Sequence, residues 1–131
     1  MPSAVEELLR FEPASPLHVR RAVTDVEVEG CPVHAGELVM LAPIMADRDP
    51  AVWDRPDELD VTRTDAPRTQ IFGGGPHMCL GAALARAELQ EFLAALVARA
   101  RRLVPHGTPR FQPFQTLRQM HDVDVDIIPA D

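Results

Sequence analysis

Within FGGGPHMCLG, residues 72–81, a single thiol, Cys79, follows three glycines, a proline and a histidine, and an alanine- and leucine-rich run begins directly after it. Glycine turns ahead of a helix serve several chemistries, and the neighbouring residue types separate them. A phosphate cradle needs a lysine and a hydroxyl side chain where the helix opens. Here the helix opens on Cys79-Leu80-Gly81, and the chain contains no lysine. A dinucleotide fingerprint needs a glycine three residues after Gly75, where Met78 stands. A zinc site needs three or four nitrogen and sulfur ligands, whereas only His77 and Cys79 are close in sequence. A cysteine nucleophile paired with histidine stays open, because a helix N-terminus lowers a thiol's pKa and His18, His34, His106 or His121 can approach in space. Ligation by sulfur also stays open. Cys79 would be a thiolate on a stiff turn, at the positive end of a helix dipole, among backbone N–H groups that glycine leaves uncovered.

The elements that must position this thiol come from 131 residues, one small domain's worth of chain. The 13 basic residues, all arginine, face 20 acidic ones, for a net charge of −7, which argues against a nucleic-acid partner and gives no polybasic membrane patch. The longest helical stretch carries Arg86, Glu88, Glu91 and Arg99, so no membrane span is expected. Cys31 and Cys79 make no disulfide framework and no secretory leader is read, so a cytoplasmic location is expected, with Cys31 a small buried residue or an incidental surface thiol. The lack of lysine and tyrosine, with much alanine, arginine, valine and proline, fits a GC-rich bacterial origin.

Ser3 as N-cap with Glu6 reaching back predicts a short helix over AVEELLRF, ended by Pro13 and Pro16. Val19, Val23, Val26 and Val28 predict two short strands turning at Thr24-Asp25, and Gly30 closes the second. A turn at His34 to Glu37, a strand over LVMLA and a brief helix from Pro43 to about Asp49-Pro50 follow. Residues 53–70 predict an ordered, irregular loop that buries Trp53, Leu59 and Val61. Apolar residues at three- and four-residue steps predict a helix from Gly81 to Leu103, roughly 34 Å long, whose apolar stripe is core and whose Arg99 to Arg102 form a solvated end. The tail predicts a hairpin pairing DVDVDII with PFQTLRQ. His18, His34, His106 and His121 carry no ligand spacing and read as satisfied or solvated.

A thiolate shielded by Phe72 and facing a flat apolar surface suits the axial position of a haem iron. Phe72, Gly75, Cys79 and Gly81 fit F-x-x-G-x-x-x-C-x-G, which resembles the haem-binding loop of the cytochrome P-450 superfamily. Glu7 and Arg10 are similar to the E-x-x-R pair of the family's K helix, and their three-residue step puts both on one helical face. The resemblance implies an arginine on a haem propionate at Arg20, with Arg21 as the near alternative, and a second propionate partner at His77. The stretch ADRDPAVW and DVTR at 60–63 also resemble bacterial soluble members.

The implied fold class is α+β, the C-terminal part of the mainly α P-450 fold. Over residues 1–131 it comprises K helix, short β strands, irregular meander loop, haem-binding Cys loop, long L helix and C-terminal β hairpin. The implied cofactor is haem b (iron protoporphyrin IX), with Cys79 as the iron ligand. The implied activity is monooxygenation of a small organic substrate, with electrons from a ferredoxin or flavodoxin-type donor whose docking surface would include Arg68 and Arg86. Two departures qualify it. Where the family places an arginine or histidine to complete a triad with E-x-x-R, this chain has Glu58, so Glu58 is expected to point to solvent or Arg55 or Arg63 to substitute. No G-G-x-x-T or A-G-x-x-T precedes the K helix, so the distal half is expected to be missing. Leu84, Phe92 and Leu96 would then lack the helices they normally pack against. The alternative is a truncated or vestigial non-catalytic fragment, or a haem-binding module that needs a separate distal-half chain.

Overall fold

The computed structural model describes residues 1–64, 66–112, 117–121 and 123–130. Helix α1 spans Pro2–Phe11. Pro2 sits in the first turn, where its missing N–H costs nothing, and no side chain caps the helix. Glu6 does not reach back to close a capping box. Its carboxylate instead takes both Nε and Nη2 of Arg86, because a two-point ion pair between helices outweighs a local cap.

Strands β1 (His18–Arg21) and β4 (Leu38–Leu41) pair antiparallel, with Arg20 opposite Val39, and enclose a tight hairpin of β2 (Val26–Val28) and β3 (Cys31–Val33). The first two strands therefore form as expected but do not pair with each other through Thr24-Asp25. The reversal occurs one strand later, at Glu29-Gly30, where φ is 48° and 79°. Positive φ at both central residues is what a two-residue hairpin turn demands. Helix α2 (Pro43–Ala46) ends at Asp47, and the loop beyond it buries Trp53, while Leu59 and Val61 stay exposed.

Helix α3 covers Ala82–Arg99 and stops short of the predicted Leu103. Residues Ala100–His106 form β5 instead, pairing antiparallel with β8 (Asp124–Pro129) so that Leu103 faces Ile127. Helical phasing and strand alternation both fit RRLVPH, and the ladder with β8 decides between them; Arg101 and Arg102 thus lie on a strand, not a helix end. The predicted partner PFQTLRQ lies partly outside the described residues, and a second small pair joins β6 (Arg110–Phe111) to β7 (Met120–His121). The buried hydrophobic core is small, built on Val5, Trp53, Ile71 and Ala82, and the apolar stripe of α3 points outward, with Phe92 62 % and Val97 64 % exposed. One face of α3 meets α1 and its last turn meets β5, while Leu84, Phe92 and Val97 stay exposed.

Candidate functional site

The scaffold of the site is polar. Glu7 and Arg10 on α1 are 3 % and 0 % exposed, and Arg10 Nε and Nη2 donate to the two Glu7 oxygens at 2.8 and 2.9 Å. The rest of the Arg10 fork is spent on loop carbonyls: Asp47 at 2.9 Å, Pro56 at 2.7 Å and Glu58 at 3.0 Å. One side chain thus gathers the irregular loop onto α1.

The third member of this cluster is Arg63. Its Nε donates to Glu7 Oε1 at 3.1 Å from a nearly buried position, and Nη2 also reaches the Glu58 carbonyl at 3.2 Å. Glu58 contributes only that carbonyl, while its carboxylate lies out in solvent, accepting from Arg55 Nη1 at 2.7 Å. Both expected resolutions of the like-charge conflict are therefore realised together. Burial pushes the Glu7 carboxyl up, but the hydrogen bonds from Arg10, the Asp60 N–H and Arg63 outweigh it and hold the group below its ordinary value. Arg63→Ala is expected to cost about 1–3 kcal/mol, as for a buried acceptor losing a charged partner. Glu58→Gln is expected to stay within about 0.5 kcal/mol. Urea midpoints of the two variants check this contrast.

The Cys loop is built on the backbone. Gly73 and Gly75 have φ of 67° and 63°, which side-chain-bearing residues adopt only with strain. A single 3-10 turn, Gly75–His77, follows, and the Cys79 N–H donates to the Phe72 carbonyl at 2.9 Å, closing the loop. Cys79 is free and exposed. A Cβ placed on Gly81 would rest 3.9 Å from the Cys79 sulfur, so glycine there keeps the thiol uncovered. Arg86 is committed rather than free for docking: besides its pair with Glu6, its guanidinium lies 4.5 Å from the Phe72 ring centre and fixes that ring. Arg68 stays exposed and donates to Met78 Sδ at 3.1 Å.

The sulfur opens onto a pocket of about 590 Å³. Arg20, Phe72, His77 and Cys79 line it together, whereas Gly75 and Gly81 act through the backbone and do not. The rest of the wall is mainly apolar, from α1, the 14–17 segment, Ile71 and the first turns of α3. Among the described residues Arg20 has no carboxylate partner, and its side chain donates to the Val19 carbonyl at 3.0 Å. Arg21, the alternative, is absent from this pocket and donates to the Gly36 carbonyl at 2.6 Å. An uncovered thiol, an apolar wall and a guanidinium without a carboxylate beside an imidazole fit a flat apolar ligand that carries a soft metal centre and carboxylates.

Two residues were missed in the sequence. His18 shares the pocket wall with Arg20, since alternate strand residues point to one side. The alternation was legible; which side it faced was not. Asp47, fully buried, had no signal beyond its place in ADRDP. Among the described residues no imidazole is hydrogen-bonded to Cys79, no cluster of three or more metal-binding side chains forms, and no helix is long and apolar enough to cross a membrane. The cysteine nucleophile reading thus has no base in place.

A family model described as Cytochrome P450 matches residues 1–121. Cytochrome P450 105C1 of a Streptomyces species is 50 % identical over 100 residues, covering 74 % of this chain and 26 % of that protein. Nocardicin C N-oxygenase of Nocardia uniformis subsp. tsuyamanensis is 50 % identical over 101 residues, covering 76 % and 25 %. The chain thus spans about a quarter of the length of these relatives. Among solved structures, P450 RauA complexed with a biosynthetic intermediate of aurachin RE superposes with a TM-score of 0.89 at 35 % identity, over 96 % of this chain and 31 % of that one.

Proposed function

The chain belongs to the cytochrome P450 family, and from that premise we propose that residues 1–131 are the C-terminal, haem-binding portion of a bacterial haem-thiolate monooxygenase domain. The observation that carries this reading is the meeting of Cys79, Arg20 and His77 on one apolar pocket. In it, Cys79 is the iron ligand, Arg20 and His77 hold the propionates of haem b, and Phe72, pinned by Arg86, shields the sulfur. The Glu7, Arg10 and Arg63 cluster holds the loop that carries them.

When bound, haem would supply the redox chemistry that puts one atom of dioxygen in a small organic substrate and the other in water, using two protons from solvent and two electrons from a ferredoxin or flavodoxin-type donor. The chain's own residues bind and orient. Arg20 and His77 hold two carboxylates at the pocket, and the apolar wall gives the flat face of the ring a surface to lie on. A second reading, a module that works with a separately encoded distal-half chain, is favoured by the outward apolar stripe of α3, where Leu84 is 63 % exposed. On either reading the protein acts in the cytoplasm.

Haem titration tests this. The reduced carbon monoxide complex is expected to show the red-shifted Soret band of thiolate ligation. Arg20→Gln is expected to speed haem loss to a scavenger by roughly tenfold or more, since a charge-assisted hydrogen bond contributes about 1.5–3 kcal/mol. A chain that takes up haem without the red-shifted band refutes the ligand assignment, and an Arg20→Gln variant that retains haem as well as the unsubstituted chain refutes the propionate assignment.

A further inference from the structure

Asp47 is a fully buried carboxylate that the site as described leaves without a task. It faces two ways. Its main-chain carbonyl accepts from Arg10 Nη1 at 2.9 Å, within the α1 cluster. Its carboxylate accepts from the Thr69 hydroxyl and from the Gln70 N–H, at 2.9 Å on Oδ1 and 3.2 Å on Oδ2. Thr69 is itself 4 % exposed, and its Oγ1 also accepts the Ile71 N–H at 3.4 Å. Among the described residues no guanidinium pairs with the Asp47 carboxylate oxygens. Burial pushes its carboxyl above the ordinary value, opposed by the bonds from Thr69 and Gln70 and by the charge of Arg10. An apolar side chain would fill this volume at lower cost. Two acceptor oxygens, however, take a hydroxyl and an N–H from adjacent residues at once.

Those residues are the stem of the Cys loop. The Gln70 carbonyl accepts the Gly73 N–H at 2.8 Å, and the Phe72 carbonyl accepts the Cys79 N–H at 2.9 Å. Ile71 and Phe72, between these anchors, line the pocket beside Cys79. A run of contacts therefore leads from Arg10 to the Asp47 main chain, and from the Asp47 carboxylate through the loop stem to the backbone of Cys79. We propose that Asp47, through Thr69 and Gln70, is a positioning residue that sets where the Cys79 sulfur stands in the pocket. The proposal rests on the reading of Cys79 as iron ligand.

Three variants grade the tie: Thr69→Val removes the hydroxyl and keeps the shape, Asp47→Asn keeps one acceptor oxygen, and Asp47→Ala removes both. In the haem-free chain, alkylation of Cys79 by iodoacetamide is read against Cys31, an exposed thiol on β3 that serves as internal reference. The Cys79 to Cys31 rate ratio is expected to change by roughly fivefold in Thr69→Val, which loses both the bond to Asp47 and the weak bond from the Ile71 N–H. Asp47→Ala should change it more and Asp47→Asn less. After haem loading, the fraction of the red-shifted carbon monoxide band should fall in the same order.

Rate ratios and band fractions equal to those of the unsubstituted chain, with only a lower melting temperature, make Asp47 a packing residue and overturn the proposal. If Asp47→Ala does not fold, Thr69→Val and Asp47→Asn decide it by the same two readouts. An unsubstituted chain that binds haem without the red-shifted band sinks the ligand reading instead, and the alkylation ratio still decides whether Asp47 places the sulfur.

Discussion

Cys79→Ser is expected to abolish the red-shifted Soret band of the reduced carbon monoxide complex outright, while Cys31→Ser leaves it unchanged. The two thiols form an internal comparison, both free and exposed. Only Cys79 opens onto the pocket with Arg20 and His77; Cys31 lies on β3, paired in the hairpin with Val28. Serine keeps the shape of the side chain, so the loop closed by the Cys79 N–H and the Phe72 carbonyl should persist. What disappears is the sulfur that would donate to the iron. Haem uptake without the thiolate band is the expected outcome. A Cys79→Ser spectrum identical to that of the unsubstituted chain would falsify the ligand assignment.

Arg10→Ala is expected to unfold the loop around the site. Arg10 is 0 % exposed, holds both Glu7 oxygens and three loop carbonyls, and lies 5.1 Å from the Trp53 ring centre. Truncation leaves Glu7 buried with only Arg63 and the Asp60 N–H, and it strips the Asp47 and Pro56 carbonyls of their arginine donor, while the Glu58 carbonyl keeps Arg63. Breaking a buried pair in this way costs about 3–5 kcal/mol, against a total stability of about 5–15 kcal/mol for a domain. Arg10→Lys should recover little, because an ammonium has no fork to span a carboxylate and separate carbonyls. Thermal melting followed by circular dichroism checks both variants, and a melting curve for Arg10→Ala that matches the unsubstituted chain contradicts the buried-cluster account. Acid acts on the same cluster. Because the folded Glu7 carboxyl is held below its ordinary value, its contribution is present above the unfolded pKa and is lost as pH falls through the lowered folded value.

Short-range chemistry was legible in the sequence. The spacing of Phe72, Gly75, Cys79 and Gly81 defines a closed loop before a helix, and an i, i+3 carboxylate and guanidinium must share a face. Both are consequences of local backbone geometry. The ends of elements were less legible. RRLVPH satisfies two periodicities, and only pairing with β8 made it a strand; Ser3 and Glu6 satisfy a capping box, and only the arrival of Arg86 drew Glu6 away.

By itself, then, the sequence determined the Cys loop, the helix behind it and the Glu7 and Arg10 pair, because each is set by residues within a few positions of one another. The tertiary structure decided which groups are taken out of water and which partner each one meets there. It turned Glu58 outward and put Arg63 on Glu7, buried Asp47 under the loop stem, set Arg20 rather than Arg21 on the pocket wall, and left the apolar stripe of α3 facing out. Burial and partner choice depend on chain segments far apart in sequence that fold together, and no local pattern encodes which of several chemically adequate side chains arrives first.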